Sequence, residues 1–561
     1  MNGERRIPGR FAGSLGSALA FPLLAALLAG CSLPHAPSPA TAPAVAAADD
    51  VPYQLRLEAV GAGSNLKGLH SVAHAVYRDK GKTWLVIVAG RTNGMHAFPE
   101  QGAGSIWSFP PSKANDLVYV VDLDGIAGPL AANDAVTSLQ VKCPEGAQPG
   151  DCLPPRIIHQ LMATNTQSFV DGRLFYIVGG YGLTEDGNSM RTFDQVLTID
   201  LPNLVTEVNN AKKFGLTVLN RTFAKKSMRT GDHPALAITG GDIVDLGDET
   251  LLVFGQLFNG LYTENASVAQ QEYSQAVRRF MFQLSGTKDK DGIGGVDVSY
   301  LGKCPDPDPV KEQPIPDGPY HRRDFTLSWV LAPDGSPRVG VFGGVFKGGR
   351  MEGYVHPVYI TQGTPPCSGK GTDGFTLAED GQSSQLLSQY DSVIVPLHSA
   401  SRKAMYTTSF GGISQYYWDG HALKQDKVDR SATPRVDGLP FINSISTLRV
   451  GGLGNGDFLH QDAQGAALTF PPAGQEPLCG TRTAPYLGTN SWFVMANDLP
   501  LNHGVILLDK ITKETVIGYI FGGIASTKNY PGPATCASDR IYKVTLDPTR
   551  ATRTVRLEPP G

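Results

Sequence analysis

The chain has 561 residues, a formal net charge of −4 and 18% charged residues, a mildly acidic balance that gives no footprint for nucleic acid. Its 41% apolar content suffices for a large core, while 65 glycines and 41 prolines demand short elements joined by many turns. The cysteines and histidines lie without C-x-x-C or His-Glu-x-x-His spacing, and no Gly-x-Ser-x-Gly elbow or phosphate loop occurs, so no metal or cofactor is expected.

In chain order, Arg5, Arg6 and Arg10 outweigh Glu4 ahead of an apolar stretch over 11–28 that ends in Leu28-Ala29-Gly30-Cys31. Broken by Gly, Ser and Pro22, the stretch is short for a membrane span and predicts a signal peptide over residues 1–30. Its end resembles a bacterial lipobox, which implies that Cys31 is acylated as the first mature residue. Each buried acyl methylene contributes about 0.8 kcal/mol, so several chains on one cysteine form a lasting membrane anchor. By the same resemblance, Ser32 implies the outer membrane of a bacterial cell envelope. Losing the signal removes three Arg and one Glu and leaves the mature chain near −6. Residues 31–50 are rich in Ala, Pro and Ser and predict a disordered tether, with the folded domain over 51–561.

Within that domain one phrase recurs: a short apolar strand running into glycine. It reads Leu85-Val86-Ile87-Val88-Ala89-Gly90, Leu174-Phe175-Tyr176-Ile177-Val178-Gly179-Gly180 and Leu251-Leu252-Val253-Phe254-Gly255. It returns as Val339-Gly340-Val341-Phe342-Gly343-Gly344, Tyr406-Thr407-Thr408-Ser409-Phe410-Gly411-Gly412 and Ile517-Gly518-Tyr519-Ile520-Phe521-Gly522-Gly523. Such copies, spaced by about 70 to 110 residues, predict a repeated β-sheet unit. In the second unit strands are expected over 162–170, 173–178 and 194–200, with 214–219 as the outer strand. In the third they are expected over 233–245, 250–254, 276–284 and 296–301; hairpin turns are expected at Asp171-Gly172 in the second unit and at Gly247-Asp248 in the third. Helical periodicity is nearly absent, its best trace lying over 266–277. The continuous apolar strands require burial on both faces, as between neighbouring sheets of a propeller.

The glycine pairs, with downstream aromatics such as Tyr354 and Tyr417-Trp418, resemble the Kelch family of β-propellers from about residue 52 to the end. The expected fold is all-β, a six-bladed Kelch-like propeller with long loops, with room for a seventh blade around 445–452. Residues 53–60 and 552–558 compete for the strand that closes the ring. N-acetylneuraminate epimerase and galactose oxidase belong to the same family. The copper site of the latter uses a Cys-linked Tyr, whereas the cysteines here are better explained as pairs in loops. Cys31 aside, six remain: Cys143 and Cys152 flank one loop and are expected to pair. Proximity of consecutive repeats suggests Cys304 with Cys367 and Cys479 with Cys536, connectivity staying open.

A propeller gathers the starts of its inner strands, and the loops after its glycines, around a central channel. Polar residues at those positions are His70, Arg91, Asn93, His96, His233, Arg322, Arg323, Asp324 and Asn490. Gln256 joins them, because the first and third phrases, Ala89-Gly90-Arg91 and Gly255-Gln256, replace bland repeat with a polar group. Arg forks match carboxylates and Asn and His satisfy hydroxyls, which suits an anionic or sugar-like ligand. Arg322 and Arg323 are adjacent in a strand, so only one is expected to reach it. Asp289-Lys290-Asp291-Gly292 is expected as a hairpin turn and the basic stretch over 221–229 as a solvated loop. The expected function is a membrane-anchored binding module for a protein or glycan partner. The alternative is a carbohydrate-active enzyme, such as a sugar epimerase or mutarotase, using channel His and Arg as acid/base and carboxylate clamp.

Overall fold

The computed structural model describes residues 51–60, 65–96, 108–127, 135–148, 150–262, 269–305, 318–363, 374–429, 431–432, 436–471, 485–530 and 535–560. The expected signal peptide, Cys31 and the tether lie outside them, as do Cys367 and Cys479. The fold is all-β, with 50% strand against 9% helix, and its sheets form a propeller-like arrangement.

The unit of construction is a four-stranded antiparallel meander. The first runs Ala73–Asp79, Lys82–Val88, Leu117–Asp122 and Val136–Gln140. The second runs Gln167–Asp171, Leu174–Val178, Gln195–Asp200 and Met228–Asp232, and the third Asp242–Asp245, Thr250–Val253, Val277–Lys288 and Gly294–Cys304. Their outer strands join where Arg229 and Thr230 pair in parallel with Gly294 and Gly295. The fourth runs Arg323–Leu331, Pro337–Val345, Val358–Gln362 and Phe375–Glu379. The fifth runs Ile394–Ser399, Ala404–Ile413, Phe441–Gly451 and Gly456–Gln461. The last runs Ser491–Met495, Thr515–Gly522, Ile541–Asp547 and, as its outer strand, Gln54–Val60 from the start of the domain.

Every copy of the glycine phrase lies on the second strand of a meander and passes into the turn that follows. The core explains its unbroken apolar character. Val86 and Val88 pack with Phe175 and Ile177 of the second meander, whereas Leu85 and Ile87 pack with Tyr519 and Phe521 of the last. Tyr176 and Val178 turn the other way, onto Leu252 of the third. Leu251 and Val253 meet Val339 and Val341, Phe342 meets Met405, and Tyr406 and Phe410 meet Ile517 and Ile520. Apolar clusters thus run between consecutive meanders, and the last returns to the first.

The second glycine of each phrase hydrogen-bonds to the neighbouring meander. Gly90 N donates to Ala163 O at 2.7 Å, Gly180 N to Ile238 O at 2.8 Å and Gly255 N to Arg322 O at 3.0 Å. Gly344 N donates to Gln389 O at 2.7 Å, Gly412 N to Leu487 O at 2.9 Å and Gly523 N to Leu69 O at 2.9 Å, the last linking the final meander to the first. In the third phrase Phe254, at φ 45°, holds the place of the first glycine, as Ala89 does at φ 59° in the first phrase. Gln256 therefore replaces no glycine; it stands one residue past the pair, where Arg91 and Tyr181 stand in their own units.

Other expectations shift for local reasons. Residues 445–452 start no further unit; they fall largely within Phe441–Gly451, the third strand of the fifth meander. The two chain ends do not compete for one edge: Gln54–Val60 closes the last meander, while Arg553–Arg556 adds to Gly456–Gln461 of the fifth. Helices form at Pro155–Leu161, Leu201–Asn209, Ala211–Phe214 and Arg221–Ser227, so 221–229 is a helix leading into a strand rather than a loop. In Leu201–Asn209 the residues Leu201, Leu204, Val205 and Val208 fall on one buried face, and the Asp200 side chain caps the helix by accepting from Asn203 N. The outer strand expected over 214–219 is instead Met228–Asp232, and Ala269–Tyr273, within the helical trace at 266–277, is a strand. The turn at 289–292 is a hairpin turn, with Asp289 Oδ1 accepting from Asp291 N and Ile293 N. Cys143 and Cys152 form a disulfide with Cα atoms 5.5 Å apart, and Cys304 and Cys536 each belong to a disulfide whose partner lies outside the described pairs. Among the described residues no helix is long and apolar enough to cross a membrane.

The role of the glycine phrase predicts a contrast between two substitutions. Gly411 (φ 58°) and Gly172 (φ 56°) share a left-handed backbone, but a Cβ on Gly411 would overlap the Leu487 carbonyl oxygen, whereas one on Gly172 meets open space. Gly172→Ala should cost only the left-handed penalty of about 1–2 kcal/mol. Gly411→Ala should cost clearly more, read as a larger drop in the denaturant midpoint at unchanged slope.

Candidate functional site

At or just before the first strand of each meander stands one residue with positive φ: Ser71 (53°), Asn165 (50°), Gly240 (62°), Asp324 (53°), Asp391 (33°) and Asn490 (53°). Five are Ser, Asn or Asp, whose short polar side chains can bond locally, and Asn and Asp tolerate this region best among side-chain-bearing residues. Backbone bonds tie them in sequence around the axis. Asn165 N donates to Ser71 O at 3.2 Å, Asp324 N to Gly240 O at 2.7 Å, Asp391 N to Asp324 O at 2.8 Å and Asn490 N to Asp391 O at 2.7 Å.

Side chains complete the ring. Ser71 Oγ donates to Asn490 Oδ1 at 2.6 Å, and Asn490 Nδ2 donates to Asp391 Oδ2 at 2.8 Å. Asn165 Nδ2 reaches past Gly240 to Asp324 Oδ1 at 3.1 Å. Gly240 leaves that path open, since a Cβ there would stand 2.8 Å from Asp324 Oδ1.

The ring separates two cavities. The larger, about 320 Å³, is lined by Asp242, Asp324, Asp391, Asn165, Asn490 and the serines 71, 168, 328, 392 and 491, with His74 and Trp492 as a stacked wall at 5.6 Å. Burial pushes the Asp242 carboxyl up to about 7. Burial, reinforced by the charges of Asp324 and Asp242, also raises that of Asp391. Asp324 is raised by burial and held down in part by Arg323.

The smaller cavity, about 60 Å³, has an aromatic wall. His96 stacks on Phe109 at 5.0 Å and meets the edge of Tyr262 at 4.9 Å, while Tyr181 and Phe258 pack at 5.5 Å. Arg323 Nη2 donates to Tyr262 Oη at 3.2 Å, and its guanidinium lies 4.4 Å from the ring centre of Phe346. Burial, with the positive charge of Arg91, pushes His70 down to about 4; burial and the charges of Arg323 and Arg91 push His96 to about 3. Both rings are therefore held in the neutral form near pH 7.

Of the residues singled out by sequence, His70, His96, Gln256, Arg323, Asp324 and Asn490 line this smaller cavity. Arg91 sits behind its wall, 5.2 Å from the Phe109 ring centre, and donates to Asn93 Oδ1 and Pro110 O; neither Arg91 nor Asn93 lines the cavity. His233 is elsewhere: its Nδ1 accepts from Ala235 N in a turn, beside Tyr300. Arg322 parts from Arg323 and is fully buried, donating to Pro319 O, Gly343 O and His356 O over the ring of Tyr354, where it ties strands together. Sequence reasoning missed Ser71, Asn165, Asp391, Asp242, Tyr262 and Tyr390. Aligning the units on their glycines would have exposed the first three, as a short polar residue shortly before each inner strand.

No family model and no curated protein matches the chain. A solved structure titled "Structure of YjhT" aligns with it at a TM-score of 0.40 and 10% identity, covering 87% of this chain and 100% of that chain. Among the described residues no group of three or more His, Cys, Asp or Glu could hold a metal ion.

The Asp242 carboxyl yields a prediction about pH. With its folded value near 7 and its unfolded value near 3.8, it stabilises the fold below about pH 4, and that contribution is lost as pH rises to about 7. Buried neutral histidines such as His70 and His460 act in the opposite sense, losing stability as pH falls below about 6.5. The informative quantity is therefore a difference: Asp242→Asn should gain stability relative to the parent chain between pH 4 and pH 7, measured as paired urea midpoints across that range.

Proposed function

We propose that this chain is an exported binding protein, anchored through acylated Cys31 to the outer membrane of a bacterial cell envelope, whose propeller takes a polyhydroxylated, glycan-derived ligand in its channel. A six-bladed, Kelch-like ring is supported by the meanders, by the apolar clusters between them and by the glycine bond from the last meander to the first. The observation that carries the ligand class is the larger cavity. Its volume of about 320 Å³ suits a small sugar, and it presents carboxylates, amides and hydroxyls opposite the Trp492 wall. Acceptors and donors in that mixture match hydroxyl groups, and an aromatic face suits the apolar face of a sugar ring.

Two measurements test this reading. Titration of the chain with mono- and disaccharides should give saturable binding that Trp492→Ala or Asp391→Asn weakens by roughly tenfold or more, as expected when a stacking face or buried hydrogen bond is lost. No binding by any sugar would overturn it. Cys31→Ser should move the protein from the membrane fraction to the soluble fraction; unchanged membrane association would overturn the anchor.

A second reading, a carbohydrate-active enzyme, is favoured by Asp242, whose carboxyl near 7 suits a group that exchanges protons near neutrality. It requires turnover of a bound sugar that Asp242→Asn abolishes while binding persists.

A further inference from the structure

The smaller cavity lies across the ring from the sugar-like site and differs from it in charge. We propose that it is an anion site, taking a carboxylate group against Arg323. Arg323 is buried, and among the described residues its Nε has no hydrogen-bond partner: the nearest carboxylate oxygen, Asp324 Oδ2, is 3.6 Å away. His70, 4% exposed and on the same wall, has an Nε2 atom that makes no close hydrogen bond among the described residues, although the backbone of Asn93 and Gly94 lies beside the ring. Orphaned buried polar groups of this kind are uncommon in folded proteins and mark places where a ligand or water completes the set.

A second observation comes from charge. Arg91, 3% exposed, bonds among the described residues to Asn93 Oδ1 and Pro110 O, and no carboxylate of those residues lies within ion-pair distance of it. Two guanidinium groups therefore flank the aromatic wall, with Asp324 as the single acid among the described residues that line the cavity and both histidines neutral. Arg323 has Asp324 beside it, whereas the buried charge of Arg91 has no carboxylate partner among the described residues; such burial is costly, and an anion in the cavity relieves it.

Size and geometry narrow the anion. About 60 Å³ is the room of a few waters, enough for a carboxylate group. The guanidinium is held by Tyr262 Oη and by the face of Phe346, which fixes the fork in the way that carboxylate recognition requires. The carboxylate comes either from a free small acid or from the acidic end of a larger ligand.

The test uses the full chain in mild detergent with acetate as probe, against chloride and inorganic phosphate at equal ionic strength. Acetate should raise the unfolding midpoint saturably, beyond either control, and Arg323→Gln should abolish the response. Tyr262→Phe, which leaves the arginine charge intact, should weaken apparent acetate affinity roughly two- to tenfold. Equal shifts with acetate and chloride, a stronger response to phosphate, or an acetate response retained in Arg323→Gln would each overturn the proposal. Should Arg323→Gln fail to fold, Tyr262→Phe and the anion comparison decide. Replacing acetate by sugar acids separates the two sources, a gain in affinity over acetate marking the acidic end of a larger ligand and equal affinity a free acid. Sugar binding without an acetate response would remove this site and leave the channel reading intact; the reverse would remove only the channel reading.

Discussion

The bond on which the molecule depends is the N–H of the second glycine in each phrase, given to a carbonyl just ahead of the next inner strand. Ala163, Ile238, Arg322, Gln389, Leu487 and Leu69 supply those carbonyls, and the last joins the end of the chain to its beginning. The approach is so close that a side chain on the preceding residue would press on the same segment, as the overlap at Gly411 shows. Where glycine is absent there, Ala89 and Phe254 accept the left-handed backbone rather than give up the bond. The neighbouring segment is thereby fixed, and a few residues later it delivers the ring residue to the axis.

From that placement follows the polarity of the channel. One side of the ring collects Asp242 and Asp391 with hydroxyls and Trp492; the other collects Arg323, aromatic rings and neutral histidines, with Arg91 behind them. Asp324 belongs to both sides, bonded to Asn165 within the ring and lying beside Arg323. Residues far apart in sequence thus acquire shared electrostatics: Asp391 is raised in part by Asp324 and Asp242, which come from other meanders.

Much of the architecture was legible in the phrases because both causes are local: glycine at a left-handed turn and unbroken apolar runs on strands buried on both faces. Leu201–Asn209 escaped notice although Leu201, Leu204, Val205 and Val208 carry helical spacing, since nine residues between strands leave little pattern to weigh. The alternative closures over 53–60 and 552–558 could not be ranked in sequence because both are short amphipathic strands; only the neighbours Ile541–Asp547 and Gly456–Gln461 show that each has an edge of its own.

The candidate site divides along the same line. Residues close behind a glycine phrase or ahead of an inner strand, such as His70, Gln256 and Asn490, could be nominated because their position in the repeat points to the axis. Tyr262 and Phe109 could not, since they reach the cavity from loops that no repeat position announces, whereas Tyr390 precedes Asp391 as His70 precedes Ser71. Arg322 and Arg323 mark the boundary: alternation along a strand required that they part, but only packing against Tyr354 and Gly343 made the first a strand clamp and left the second facing the cavity. The sequence by itself determined the repeated sheet and its glycine turns, which are properties of short segments. The tertiary structure decided which charges share a cavity and which stay unpaired, because those depend on distances between segments that only the closed ring brings together.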